Sequence, residues 1–132
     1  MMTDAVLELK DVCFRWSNKD QATIDIPELK IDQGERVFLQ GPSGSGKSTL
    51  LSLVGGILLA ESGSLRVLGE ELKNLSRSRR DAFRVTHLGF IFQLFNLLPY
   101  LSLEENVLLP LRFSKERAEK SGGSEMKRIQ EA

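Results

Sequence analysis

The apolar positions near the start of the chain come in short runs of period two. Val6-Leu7-Glu8-Leu9-Lys10-Asp11-Val12-Cys13-Phe14-Arg15-Trp16 carries patches of apolar–polar alternation, which predicts a half-buried strand. Ser17 to Gln21 is polar and turn-like. Alternation resumes from Thr23 to Ile31 through Ile24, Ile26, Leu29 and Ile31, predicting a second strand. Pro27 gives that strand an edge position, because proline has no N–H to donate to a ladder. Asp32-Gln33-Gly34-Glu35 reads as a turn, and Arg36-Val37-Phe38-Leu39-Gln40 as a short buried strand. A helix is predicted from about Lys47 to Ile57, a strand over Ser64 to Leu68 ended by Gly69, and a short helix from Ser78 to Val85. Leu88-Gly89-Phe90-Ile91-Phe92 reads as a further strand. Ser102-Leu103-Glu104-Glu105 has the form of a capping box and opens another helix. Lys115 to Ala132 is charged and helix-prone, but Gly122-Gly123 breaks it.

Composition narrows the class. The 132 residues suit one domain or less, large enough to bury about 68% of the unfolded surface. With 41% hydrophobic residues and 18 basic against 18 acidic, the chain is no low-hydrophobicity disordered segment, and its zero net charge gives no global attraction to nucleic acid. Cys13 is the only cysteine, which excludes an internal disulfide framework and a CxxC metal site; it reads most simply as a buried strand residue. The start of the chain lacks the basic and apolar regions of a signal peptide. The longest apolar stretch, Leu50 to Ala60, is far shorter than the roughly 20 residues a bilayer span needs. Leu94 to Leu111 is leucine-rich but interrupted by Asn96, Pro99, Glu104, Glu105, Asn106 and Pro110, so it reads as buried or docking surface.

The chemistry lies in Gly41-Pro42-Ser43-Gly44-Ser45-Gly46-Lys47-Ser48-Thr49, which fits G-x-x-x-x-G-K-[ST]. Small residues let backbone N–H groups converge on phosphate oxygens, and the following helix adds partial positive charge at its N-terminus. Lys47 is the point charge for the β- and γ-phosphates, Ser48 a Mg²⁺ ligand, and Thr49 a further hydroxyl toward the α-phosphate. Taken alone, the loop leaves kinase, GTPase and transporter motor open.

GPSGSGKSTLLSLVGGILLAESGSL followed by LGFIFQLFNLLPYLSLEENVLLPL resembles the nucleotide-binding subunit of an ABC transporter, most strongly the lipoprotein-release and macrolide-export branch. The resemblance runs from about Val6 to Glu131 and corresponds roughly to the N-terminal half of that family's ATPase domain. It implies an α/β fold of P-loop NTPase type: β-subdomain strands over about 5–35, a P-loop core portion over 36–93, and the start of a helical subdomain over 94–132. Trp16 stands where the family has an aromatic, usually Tyr, that stacks on adenine. Gln93, after Leu88-Gly89-Phe90-Ile91-Phe92, matches the Q-loop glutamine, whose amide reaches Mg²⁺ or the attacking water. The implied cofactors are ATP and Mg²⁺. The implied partners are a transmembrane permease subunit and a second nucleotide-binding subunit, with no nucleic acid. The implied location is the cytoplasm, peripheral on the inner face of the cell membrane through the permease.

Other family features have no match. None of Asp4, Asp11, Asp20, Asp25, Asp32 and Asp81 follows four apolar residues, as a Walker B aspartate does, and no Asp-Glu pair occurs. Ile57-Leu58-Leu59-Ala60-Glu61 has the apolar run but ends in Glu and lies too near the phosphate loop. Ser121-Gly122-Gly123-Ser124 imitates the LSGGQ signature without its Leu and Gln, and reads as a loop or helix break. His87 precedes Gln93, the wrong order for the switch histidine. Asn18-Lys19-Asp20-Gln21 misses the GTPase N-K-x-D by one place and lies on the wrong side of the loop. Arg77, Arg79, Arg80 and Arg84 form a basic cluster that Asp81 interrupts, which fits a solvated helix face. The expectation is an N-terminal part of an ABC-type ATPase that binds Mg-ATP and hydrolyses it poorly alone. A truncated, non-functional remnant and a small P-loop kinase or GTPase are the rival readings.

Overall fold

In the computed structural model, residues 5–17, 21–92, 94 and 96–120 are described. They fall in two units, residues 1–80 and 81–132. The first unit is built on a four-stranded antiparallel sheet in the order β2-β1-β3-β4, formed by β1 (Ala5–Phe14), β2 (Ile24–Asp32), β3 (Ser62–Val67) and β4 (Glu70–Glu71). β2 is an edge strand, so Pro27 withholds no hydrogen bond that an inner strand would need. The turn after it closes through Glu35 N–H to the Asp32 carbonyl at 3.2 Å, while the Glu35 carboxylate accepts from Asp32 N–H at 2.7 Å.

β1 explains how an imperfect alternation still makes one apolar face. Leu7 and Leu9 are buried, but so are Val12 and Phe14, which have the opposite parity. The slip is absorbed at Asp11, whose φ of 50° marks an irregularity in the pairing with β3 between Lys10 and Cys13. One extra residue there returns Val12 and Phe14 to the face that Leu7 and Leu9 occupy. Ile24, Leu65, Val67, Leu72 and the helix residue Leu53 complete this core. Cys13 is half-buried, less enclosed than its pattern predicts. On β4, Glu71 is held by the Ser64 hydroxyl, by Leu65 N–H at 3.0 Å and by Arg66 at 3.5 Å. Burial alone raises its pKa, but these hydrogen bonds and the nearby Lys73 ammonium outweigh that and hold the carboxyl below its usual range.

Helix α1 (Lys47–Val54) stops three residues before the predicted end, because Gly55-Gly56 turns the chain and Gly56 has φ 65°. Helix α2 (Arg77–His87) is longer than predicted at both ends. In the second unit, α3 (Leu103–Arg112) begins with the expected capping box. Ser102 Oγ accepts from Glu105 N–H at 3.1 Å, and the Glu105 carboxylate accepts from Ser102 N–H at 2.7 Å. That backbone N–H, followed by the Ser102 side chain, lowers the Glu105 pKa. Asn106 ties the preceding loop to α3: its Oδ1 accepts from Leu98 N–H at 2.7 Å and its Nδ2 donates to the Leu101 and Ser102 carbonyls. A short α4 (Lys115–Lys120) follows; Ser121-Gly122-Gly123-Ser124 lies outside the described residues.

Two strand expectations are overturned. Residues 35–42 form no strand, and Val37 and Phe38 are 58% and 86% exposed. Residues 88–92 form none either, and Ile91 is fully exposed. Both segments have strand-like apolar patterning, but among the described residues no strand lies alongside either of them. Without a neighbouring backbone there is no ladder and nothing to bury the side chains. Leu94, Leu97, Leu103 and Val107 are likewise exposed, so they are not core among the described residues. No helix among those residues is long and apolar enough to cross a membrane.

Candidate nucleotide site

The glycine-rich segment connects residue 40 to α1 and closes on itself. Ser45 N–H donates to the Pro42 carbonyl at 3.2 Å. Gly41 lies so close to Ser45 that a Cβ on it would meet Ser45 Oγ at 2.6 Å. Gly46 is the N-cap of α1, with φ 91° and ψ 8°, a left-handed conformation that favours glycine. It also packs tightly, since a Cβ there would stand 2.9 Å from the Thr23 carbonyl oxygen. The loop is therefore seated on the start of β2.

α1 begins with no side-chain cap and no acidic residue in its first turn. Its first N–H groups, which no intrahelical carbonyl satisfies, and its dipole favour an anion at this end. The Lys47 side chain folds back over the loop. Its Nζ donates to the Gly41 carbonyl at 2.6 Å, the Pro42 carbonyl at 2.7 Å and Ser45 Oγ at 3.3 Å. The ammonium thus already stands over the loop backbone. Ser48 is exposed and Thr49 buried.

Six residues of this segment, Ser43, Gly44, Gly46, Lys47, Ser48 and Thr49, line a cavity of about 480 Å³. That volume lies within the 300–1,000 Å³ usual for small-ligand sites. Two further walls come from outside the loop, Trp16 and Thr23. Trp16 follows β1, is 63% exposed, and meets the Phe14 ring edge-on with centroids 5.2 Å apart. It is no core residue. An aromatic side chain and a phosphate-type loop therefore share a concavity, an arrangement able to hold a planar base and a chain of phosphates together. Thr23 carries no motif signal, and only the folded proximity of β2 to the loop brings it here. Gln93 lies outside the described residues. Among those residues no cluster of three His, Cys, Asp or Glu offers a metal site.

Comparison with known proteins gives the chain a family. Residues 24–132 match the ABC transporter family. The chain is 40% identical over 121 residues to the lipoprotein-releasing system ATP-binding protein LolD of Francisella tularensis, covering 90% of this chain and 52% of that protein. It is 38% identical over 122 residues to the macrolide export ATP-binding/permease protein MacB of Pasteurella multocida, covering 91% and 19% respectively. Among solved structures it resembles a dimeric post-hydrolysis state of the ATP-binding cassette MJ0796 bound to ADP and Pi, at TM-score 0.76 and 35% identity, over 95% of this chain and 54% of that one. The chain thus spans about half the length of LolD and of that cassette. From loop geometry and likeness together, the chain belongs to the ABC transporter ATP-binding cassette family, as an N-terminal portion of the cassette.

Proposed function

We propose that this chain is the ATP-binding portion of an ABC transporter ATPase subunit that powers transport or extraction through a separate membrane permease. The observation that carries the reading is the shared cavity, in which Trp16 faces the same space as Lys47, Ser48 and the uncapped start of α1. Adenine stacks on Trp16, the phosphates lie along Gly41 to Thr49, and Lys47 exchanges its loop carbonyls for β- and γ-phosphate oxygens. Mg²⁺, bound with the nucleotide, neutralises phosphate charge. The exposed Ser48 hydroxyl, a hard oxygen donor, fits it as the protein ligand, with Gln93 as a further contact. A permease and a second nucleotide-binding subunit are the proposed partners, and the dimeric cassette relatives support the latter. With such a permease the chain would sit on the inner face of the membrane.

Trp16 is the only tryptophan, so its emission reports directly on the base. Titration with Mg-ATP is expected to give a saturable fluorescence change that Trp16→Phe abolishes, while isothermal calorimetry on Trp16→Phe still detects weakened binding. No response from the wild-type chain, with no heat of binding, would overturn the reading. Turnover is a separate matter. Positioning and charge stabilisation around the γ-phosphate need a Walker B carboxylate pair, which none of the six aspartates supplies. The purified 132-residue chain is therefore expected to release phosphate slowly or not at all, and turnover equal to that of a complete cassette would contradict this.

A further inference from the structure

We infer that Thr23 contacts the sugar of the bound nucleotide and makes the site prefer ribose to deoxyribose. The inference rests on the nucleotide reading above and adds a residue to it. Of the cavity walls outside the phosphate loop, one is the aromatic side chain of Trp16 and the other is half-buried Thr23.

Thr23 is fixed from both sides. Its N–H donates to the Phe14 carbonyl at 2.9 Å, and Phe14 is the residue whose ring braces Trp16. On the other side, its carbonyl oxygen and its methyl carbon lie 2.9 and 3.5 Å from where a Cβ on Gly46 would stand. Thr23 is thus attached at once to the support of the base platform and to the start of α1. In a nucleotide the sugar is the group between base and phosphates. A ligand with its base on Trp16 and its phosphates on Gly44 to Thr49 passes its sugar along the wall to which Thr23 belongs. The polar group of the Thr23 side chain is a hydroxyl, which both donates and accepts and so is matched in kind to the 2′- and 3′-hydroxyls of ribose. The backbone restraint lowers the cost of ordering that contact.

The test measures the affinity of the 132-residue chain for ATP, 2′-deoxyATP and 3′-deoxyATP by Trp16 fluorescence and by equilibrium dialysis. Wild type is expected to bind ATP about fivefold more tightly than at least one deoxy analogue, the scale of one net hydrogen bond. Thr23→Val keeps the shape and removes the hydroxyl, and is expected to bring that ratio to about one. Thr23→Ser keeps the hydroxyl and is expected to retain the ratio. Equal wild-type affinity for all three nucleotides overturns the assignment without any variant. An unchanged ratio in Thr23→Val overturns it too. If dialysis shows no binding of any nucleotide to wild type, the nucleotide reading itself has failed and this inference falls with it.

Discussion

Lys47→Ala is expected to abolish the ATP-dependent change in Trp16 fluorescence at nucleotide concentrations that saturate the wild-type chain. The ammonium is the one formal positive charge among the residues lining the cavity, and it lies 2.6 and 2.7 Å from the two carbonyls over which a phosphate chain would run. A charge-assisted hydrogen bond to phosphate contributes about 2–3 kcal/mol, so its removal weakens binding on the order of 30- to 150-fold. The aromatic stack and the helix N-terminus remain in the variant, but neither supplies a full charge. Lys47→Arg is expected to recover only part of the affinity. A planar fork on a longer side chain does not reproduce a point charge folded back onto Gly41 and Pro42. Stability is expected to stay within about 1 kcal/mol of wild type, since the side chain is only partly buried and its three partners are loop groups that water can satisfy. Thermal melting alongside the titration separates a lost site from a lost fold. A Lys47→Ala chain that binds ATP with wild-type affinity would show that the loop holds no phosphate.

What the sequence discloses about this molecule is its local chemistry. Glycines at 41, 44 and 46 with Lys47 announce the loop, Ser102 and Glu105 announce the start of α3, and Gly55-Gly56 stands where α1 ends. These signals are complete within a few residues, because a cap or a tight turn is satisfied by its own neighbours. Strands are different. Val37-Phe38-Leu39 and Phe90-Ile91-Phe92 have the right residues for buried strands, yet both are exposed, because strand formation depends on a second backbone. Thr23 was illegible for a related reason. Nothing about a threonine seven residues after Trp16 marks it, and its place in the site arises only when β2 passes beside Gly46. Between these extremes lies the slip from Leu7 and Leu9 to Val12 and Phe14. It is written in the residues but reads as broken alternation until the bulge at Asp11 is seen.

Gly63→Ala is expected to be the most damaging single-methyl change in the first unit, because that bulge leaves no room for it. Gly63 has φ 85°, and a Cβ added there would lie 2.2 Å from the Asp11 carbonyl oxygen and 2.5 Å from the Lys10 carbonyl oxygen. Both obstacles are backbone atoms of the neighbouring strand, so no rotamer change relieves them. Either β1 and β3 move apart or the bulge is lost, and losing it turns Val12 and Phe14 off the core face. The left-handed φ adds about 1–2 kcal/mol of strain for any residue with a Cβ. With the clash, a loss of about 3–5 kcal/mol is expected, against the roughly 5–15 kcal/mol that holds a domain folded. Gly34→Ala isolates the strain component. Its φ is 83°, nearly the same, but nothing lies within 4 Å of the added methyl, so only about 1–2 kcal/mol should be lost. The two variants, compared by urea denaturation, therefore separate clash from conformation. Gly63→Ala should have a much lower midpoint than Gly34→Ala, or fail to accumulate in soluble form. Because Phe14 leads directly to Trp16, any Gly63→Ala protein that does fold should also lose ATP-responsive fluorescence, whereas Gly34→Ala should keep it. Equal midpoints for the two would mean that β1 and β3 accommodate the methyl.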